Sequence, residues 1–502
     1  MFKKILIANR GEIAVRVIRA CRELGIRAAV IYSEVDRASL HVQLADEAYL
    51  VGPPAPRDSY LNIDRIIDIA HKAQAEAIHP GYGFLAENPD FAARCEQEGI
   101  IFIGPNSRAL RLVGDKLMAR QTMEAANIPI IPGMKAVGRD FAVYAEEAKR
   151  LGYPVMIKAS AGGGGKGMRI VYEEKELQAA LEAGRREALA AFGDESVYLE
   201  KYLEEPRHVE FQVLADNHGN IVHLFERECS IQRRHQKIVE ETPSQALTPG
   251  LRQRMGETAK KVLQVAGYNN AGTVEFLLDK NKNFYFLEVN ARLQVEHPVT
   301  ELTTGIDLVH QQIKVAAGEK LAWQQDDIKQ RGQAIECRIY AEDPARGFLP
   351  SSGKILYLQE PRGPGIRIDS GIYAGWEVPI YYDPILAKLI VWGENREIAC
   401  RRMVAALRDY VILGIATTIP FLRDVIGHPE FMAGRTTTNF IPQHLANWCE
   451  MNREPDLKRL AQAAAAYMEI NRKPVYRAEG IERVTRPSPW QTLGHWRIGG
   501  GD

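Results

Sequence analysis

The chain opens on an apolar run at residues 4–8. Residues 11–24 then place Ile13, Val17, Ile18 and Cys21 on one helical stripe, and residues 28–32 return to an apolar run. That order predicts a strand, a helix and a second strand, a βαβ unit. Further strands are predicted at 48–51, 77–79 and 100–103, with helices at about 61–75 and 88–97, so the first third reads as a parallel, doubly wound layer. Loops at the carboxyl ends of such strands hold ligands. Here they carry Ala8-Asn9-Arg10-Gly11 and His79-Pro80-Gly81-Tyr82-Gly83-Phe84-Leu85-Ala86-Glu87.

From about residue 115 the texture changes to a helix ending near 126, the breakers Pro129 and Pro132, an amphipathic helix near 141–151, a strand at 154–159 and a glycine cluster. Strand patterns dominate 197–290. Beyond 333 comes a mixed region with helices predicted at 397–408 and 419–426. After about 448 the pattern decays into an Ala-rich helix candidate at 457–468 and a tail punctuated by Pro and Gly, expected to be flexible or docked on a partner.

Composition sharpens this outline. Of 502 residues, 64 are Lys or Arg and 64 Asp or Glu, so no global field favours nucleic acid or an anionic membrane, and neither is expected as a partner. At this length one core gives way to three or more structural units. No run reaches the roughly 18 apolar residues of a membrane span, and the amino terminus turns polar too early for a signal peptide. Cys21, Cys95, Cys229, Cys337, Cys400 and Cys449 form no CxxC pair, and they read as reduced thiols of a cytoplasmic protein.

Residues 160–168, SAGGGGKGM, contain GxGxxG, but a strand pattern follows where the dinucleotide fingerprint needs a helix. The Walker pattern fails too, because Gly167 stands where Ser or Thr should follow Lys166. What remains is strand, glycine loop, strand: either a flexible surface turn or a mobile hairpin whose backbone amides close over a polyphosphate with Lys158 and Lys166.

Two strand patterns, 272–278 and 284–290, flank a polar turn. With the turn centred between Asn281 and Lys282, Glu275 lies opposite Glu288 at roughly 5 Å, and Asn290 shares their face. Such carboxylates either line a solvated face or hold a divalent cation, for which two carboxylates and an amide suit Mg²⁺ or Mn²⁺. Residues 226–241 crowd eight formal charges, four of each sign. Alternation there predicts Arg233, His235 and Lys237 on one strand face, suited to a small anion. Arg292, Gln294 and Glu296 offer a guanidinium, an amide and a carboxylate in one short stretch, enough to hold an oxyanion and offer it a base.

Six ordered motifs then make the chain resemble biotin carboxylase, an ATP-grasp ligase. They are residues 7–14 (IANRGEIA), 79–83 (HPGYG), 158–168 (KASAGGGGKGM), 233–237 (RRHQK), 288–301 (EVNARLQVEHPVTE) and 336–344 (ECRIYAEDP). The resemblance is collinear from residue 1 to about 446. It implies an α/β and α+β fold with a Rossmann-like amino-terminal domain (1–114), an ATP-grasp domain (115–332) with a mobile glycine-rich lid at about 131–203, and a carboxyl-terminal domain (333–446), followed by an extension at 447–502. The turn between the two carboxylate strands is one residue longer than the family's form.

The resemblance also implies chemistry. ATP, bicarbonate and the biotin of a separate carrier protein would give ADP, phosphate and carboxybiotin by way of carboxyphosphate. Lys116, Lys158, Gly163, Gly164, Gly165 and Lys166 match the phosphate contacts. Glu200, Lys201, Leu203, His208, Gln232, His235 and Leu277 match the remaining nucleotide contacts. Glu275, Glu288 and Asn290 match ligands for two Mg²⁺ or Mn²⁺ ions. Lys237, Arg292, Gln294, Val295 and Glu296 match the bicarbonate pocket, with Glu296 the base, and Arg338 matches the residue that steadies the biotin enolate.

No Ala-Met-Lys-Met carrier motif is present, so the biotin is expected in trans, on a biotin carboxyl carrier protein, with a carboxyltransferase as the second partner and a homodimer as the oligomer. The final acceptor is open among acetyl-CoA, propionyl-CoA, pyruvate and 2-oxoglutarate, with acetyl-CoA favoured. A different ATP-grasp ligase of the carbamoyl-phosphate type, or a nucleotide-sensing scaffold without turnover, are the alternatives. Residues 451–502 hold nine Lys and Arg against six Asp and Glu, with Trp490 and Trp496, and are expected to dock a partner protein of the complex. Deleting them without effect on assembly in a pull-down would remove that expectation.

Overall fold

The computed structural model describes residues 1–134, 140–160, 168–234, 236–449 and 462–467. Residues 1–450 form one compact unit and 451–502 a second, of which only the helical stretch 462–467 is described. The rest of the expected helix at 457–468 and of the docking tail lies outside the described residues.

The apolar runs of the first third become a five-stranded parallel sheet in the order Glu47–Gly52, Arg27–Ser33, Lys4–Ile7, Ala77–His79, Ile101–Phe102. Helices Gly11–Glu23, Ile63–Lys72 and Pro89–Gln97 cover it, the last two capped by the side chains of Asn62 and Asn88. The two expected ligand loops are tied together at the carboxyl ends: Asn9 Nδ2 donates to the carbonyls of Pro80 (2.7 Å) and Tyr82 (2.8 Å). Gly81 allows this, since its φ is +65° and a Cβ there would sit 2.8 Å from Asn9 Nδ2.

The second layer is an eight-stranded antiparallel sheet ordered Phe284–Asn290, Asn270–Leu278, Arg207–Ala215, Ile221–Arg233, Gln236–Thr242, Gln333–Tyr340, Ile385–Gly393, Ile366–Ser370. It runs without a break from the middle of the chain into its carboxyl-terminal part, through the pairing of Gln236–Thr242 with Gln333–Tyr340. The strand pattern expected through 197–290 is interrupted by an 18-residue helix, Pro249–Ala266. Its signals are local: Thr248 caps Leu251 N–H, Pro249 occupies the first turn, Gly267 ends it at φ +58°, and Leu251, Met255, Ala259 and Val262 form the buried stripe.

A third, smaller layer comprises Arg169–Val171, Val155–Ala159 and Val197–Lys201, packed under helices Phe141–Leu151 and Glu174–Phe192 around its own core of Tyr144, Val155, Ile157, Leu177 and Leu199. Antiparallel strands flank the glycine loop as expected. The loop itself, with Gly163, Gly164, Gly165 and Lys166, lies outside the described residues.

Candidate active site

A cleft of about 740 Å³ is lined by the small sheet on one side and the large sheet on the other. Strand pairing builds its floor. The register of Asn270–Leu278 against Phe284–Asn290 sets Glu275 opposite Glu288 as expected, but by another route. The turn is centred on Asn281, since Phe276 pairs with Phe286 and Leu278 with Phe284. A one-residue bulge between Glu275 and Phe276 then shifts the register and brings Glu288 into line. Asn290 joins them, its Nδ2 donating to Glu275 Oε1 at 2.7 Å.

Cations already neutralise this carboxylate pair. Lys116, at the start of helix Lys116–Ala125, lies 3.0 Å from Glu288, and Lys237 donates to Glu275 at 2.7 Å. Gln232 Nε2 donates to His208 Nδ1 (2.6 Å), leaving the other ring nitrogen facing Glu275 Oε2 at 2.8 Å. Burial would raise the Glu275 carboxyl, yet Lys237 and His208 hold it well below the usual carboxylate range. An ionised, all-oxygen donor set on two adjacent strands fits Mg²⁺ or Mn²⁺.

Lys237 is the hub of the site. Its ammonium also donates to Glu210 (2.5 Å) and Glu296 (2.9 Å), so three buried carboxylates converge on one cation. Burial would lower its pKa, but Glu210, Glu275 and Glu296 raise it well above the usual lysine value. Glu296 is wholly buried just before helix His297–Thr304, with its second oxygen taken by Arg338 Nη2 at 2.9 Å. Burial pushes its carboxyl up, and Lys237, Arg338 and Arg227 overcome this and hold it well below the usual range. Behind it Arg227, fully buried, donates to Glu210 (2.6 Å), Gln212, Thr273 and Thr300.

Arg233 and Lys237 do not share a face, contrary to the alternation reading. Arg233 pairs with Gln236 at the end of a hairpin, and Arg234 turns it with φ +49°. The guanidinium of Arg233 therefore lies on Glu342 (3.2 Å) and over the Phe348 ring, whereas Lys237 points into the cleft. His235 lies outside the described residues.

At the same end, Arg292 is placed by Glu87 (2.9 Å) of the amino-terminal layer and donates to the side-chain oxygens of Gln294 (2.8 Å) and Asn290 (3.1 Å). Arg338, Val295, Gln294 and Arg292 all line the cleft, offering fixed donors for a small oxyanion. The opposite end is lined by Leu203 and Leu277 together with Ile131, Met156, Phe286 and Asn439, a slot with apolar walls that suits a flat base. Lys158 there forms an ion pair with Glu200, which also takes Arg120 Nη1 at 2.6 Å, while the Lys201 ammonium turns away to the carbonyls of Gly152 and Tyr153.

The described residues that the resemblance assigns to nucleotide, metal, bicarbonate and biotin gather at this cleft, with Glu296 sealed just beneath its wall, whereas Arg233 and the loop 8–11 do not line it. Glu87 was visible in the sequence only as the end of a ligand loop, and Arg120, Glu210, Arg227 and Glu240 were not visible as site residues; they hold the others in place, Glu87 on Arg292, Arg120 on Glu200, Glu210 on Lys237 and Arg227, and Glu240 on Arg338. Glu210 and Arg227 lie on strands that carry several other polar residues, so nothing local in the sequence marks them out.

Family models match in three consecutive blocks: "Biotin carboxylase, N-terminal domain" over residues 1–110, "Carbamoyl-phosphate synthase L chain, ATP binding domain" over 115–324 and "Biotin carboxylase C-terminal domain" over 336–443. One of the pyruvate carboxylase subunits of Methanothermobacter thermautotrophicus is 55% identical over 444 residues, 88% of this chain and 90% of that protein. The biotin carboxylase of Nostoc sp. is 53% identical, covering 88% of this chain and 99% of its own. Among solved structures, the biotin carboxylase domain dimer of Hydrogenobacter thermophilus 2-oxoglutarate carboxylase, in complex with MgADP, ADP and bicarbonate, superposes with a TM-score of 0.85 at 51% identity. It covers 88% of this chain and 98% of that one.

Proposed function

Because the chain belongs to the biotin carboxylase family of ATP-dependent ligases, we propose that it binds MgATP and bicarbonate in this cleft and carboxylates biotin presented by a separate carrier protein. The observation that carries the reading is the convergence of Glu210, Glu275 and Glu296 on Lys237, beside Arg292 and Arg338. A mixed-sign pocket of that kind holds a small anion while keeping a carboxylate ionised next to it.

In this reading Glu275, Glu288 and Asn290 would hold divalent ions, which supply charge neutralisation for the nucleotide phosphates when bound. Lys116 and Lys158 leave Glu288 and Glu200 for phosphate oxygens, and the glycine loop with Gly163, Gly164, Gly165 and Lys166 closes over them. Leu203, Leu277 and the 200–203 stretch receive the base, and His208, Gln232 and His235 border the nucleotide. Lys237, Arg292, Gln294 and Val295 orient bicarbonate. Glu296 removes its proton, so that the oxygen attacks the γ-phosphate and forms carboxyphosphate. The CO₂ released from it meets biotin N1, deprotonated by the departing phosphate, while Arg338 balances the charge on the ureido oxygen.

The division at 114/115, 332/333 and 446/447 is kept with this reading, as are a carrier protein, a separate carboxyltransferase and a homodimer testable by sedimentation. The acceptor belongs to the carboxyltransferase. Two of the relatives above belong to a pyruvate and a 2-oxoglutarate carboxylase, so the acetyl-CoA expectation is decided by which carboxyltransferase co-purifies with the chain.

The test is ATP hydrolysis that requires bicarbonate and is stimulated by free biotin. Glu296→Gln should retain ATP binding and lose about a hundredfold or more of the biotin-dependent rate, the range of a lost general base. Hydrolysis indifferent to both bicarbonate and biotin would overturn the reading.

A further inference from the structure

The register of Gln236–Thr242 against Gln333–Tyr340 sets Glu240 directly opposite Glu336, both wholly buried. Side chains so placed stand roughly 5 Å apart. Glu240 Oε1 accepts from Arg338 Nε at 2.6 Å. Its Oε2, and both carboxyl oxygens of Glu336, have no hydrogen-bond partner among the described residues.

The charged groups facing the pair are Arg338 on the strand of Glu336, Lys237 on the strand of Glu240, Glu296 before the helix above and Lys388 on the next strand. None of them satisfies the three orphaned oxygens. Arg338 Nη2 is committed to Glu296, Lys237 to its three carboxylates, and Lys388 donates to the Val295 carbonyl (2.9 Å) and lies 3.3 Å from Glu12.

Two ionised carboxylates side by side in a dry interior repel each other and forfeit their hydration. One proton between them resolves both problems, because a carboxylic acid is a donor and its neighbour already lacks one. Burial acts in the same direction, driving Glu336 well above the usual carboxyl range against the pull of Lys388, and Glu240 up to about 7 against that of Arg338.

We propose that Glu336 is a positioning residue for carboxylation: a neutral carboxylic acid that donates a hydrogen bond to Glu240 Oε2 and so fixes Glu240 as the acceptor orienting Arg338 toward the cleft and Glu296. The role of the pair rests on the reading of Arg338 and Glu296 given above, whereas the proton itself does not.

The pair then confers an alkaline limb. Burial raises both carboxyls, so the pair keeps its last proton below the upper of its two coupled pKa values and loses it as pH rises through that value, when both carboxylates ionise and compete for Arg338.

Difference infrared spectroscopy reads the proton whatever the reaction. Wild type at neutral pH should show the C=O stretch of a buried carboxylic acid that Glu336→Gln lacks, and Glu240→Gln should shift that band, since an amide oxygen is a weaker acceptor than a carboxylate. Spectra of wild type and Glu336→Gln that superpose, or a band unmoved in Glu240→Gln, would overturn the proposal even where one variant fails to fold.

Turnover tests the positioning. Glu336→Gln, whose amide still donates, should keep the biotin carboxylation rate within about threefold and lose the alkaline decline. Glu336→Leu should lose about tenfold in kcat with an unchanged KM for ATP. A Leu variant as active as wild type would overturn the positioning role. A wild type inactive toward biotin would instead count against the proposed function, leaving the infrared result standing.

Discussion

Among single residues, Lys237 has the largest consequence. Breaking a buried ion network by removing one partner costs about 3–5 kcal/mol, because the stranded charges have no water to return to. Lys237→Gln should therefore lower the unfolding temperature by many degrees, and it should also invert a pH dependence. In the wild type Glu275 and Glu296 have depressed folded-state values, so their contribution is present above the unfolded carboxyl range and is lost as pH falls far below it. Without the lysine, Glu210, which burial already holds above the usual carboxyl range, rises further, while Glu275 keeps His208 and Glu296 keeps Arg338 and Arg227, so mild acidification from slightly alkaline to slightly acid pH should stabilise the variant through Glu210. Thermal unfolding across that range checks the sign, and a variant that loses stability on acidification would contradict it. Lys237 and Arg292 were legible in the sequence as charges in short mixed clusters, and Arg338 only through the family resemblance. Their holders were not: Glu87 is 205 residues from Arg292 and Glu240 98 from Arg338, and no local pattern joins charges over such spans.

At the level of elements, the small sheet is joined to the large one by segments 129–134 and 202–206, and Arg120 holds the first to Glu200 at the end of the strand that leads into the second. Pro129 accepts from Phe286 N–H (2.7 Å) and belongs to the large sheet, while Met134 N–H donates to Leu199 (2.9 Å) and belongs to the small one. Between these points Arg120, one turn beyond Lys116 on the same helix, donates to the Ile131 carbonyl (2.5 Å) and to Glu200. Gly133 is required beside it, since a Cβ there would lie 2.8 Å from the guanidinium and 2.7 Å from the Leu199 carbonyl. Arg120→Ala should raise KM for ATP about tenfold, roughly 1.4 kcal/mol of binding, with little change in kcat. It should also speed hydrogen exchange at 131–134 and 197–201, and unchanged exchange there would refute the clamp. Element types were read well wherever the hydrophobic period was clear, as in the parallel layer. The bulge beside Glu275 was not readable, because residues 284–289 carry apolar side chains on both faces, so either of two registers a residue apart satisfies the pattern. The helix Pro249–Ala266 was passed over despite a full set of capping signals.

For the whole molecule, the distribution of cores decides what can move. One core unites the parallel layer with the large sheet, from Leu6 and Phe91 to Phe211 and Met255, and another joins the sheet to the carboxyl-terminal helices through Ile238, Cys337 and Leu389. Ion pairs reinforce that body across long spans, with Arg16 and Arg367 both on Glu301 and Lys388 between Glu12 and Asp369. The small sheet keeps a core of its own and meets the body through the crossing segments and the cleft, so it can open without breaking the large sheet's ladder. Neutral overall charge fits this arrangement, since the cleft cations Lys116, Lys158 and Lys237 are already matched by Glu288, Glu200 and Glu275, and an anionic ligand would exchange one set of anions for another. A ligand that bridges the two layers should stabilise the layer that opens and leave the other as it was. Magnesium with a non-hydrolysable ATP analogue, at about a hundred times its Kd, should slow exchange at 155–159 and 197–201 by up to a hundredfold, equivalent to about 2.7 kcal/mol. Residues 333–340 and 385–393, paired inside the large sheet, should respond only as far as global stability does. Equal slowing at sub-global opening in both sets would mean that the small sheet does not open separately, and that nucleotide enters by a different motion.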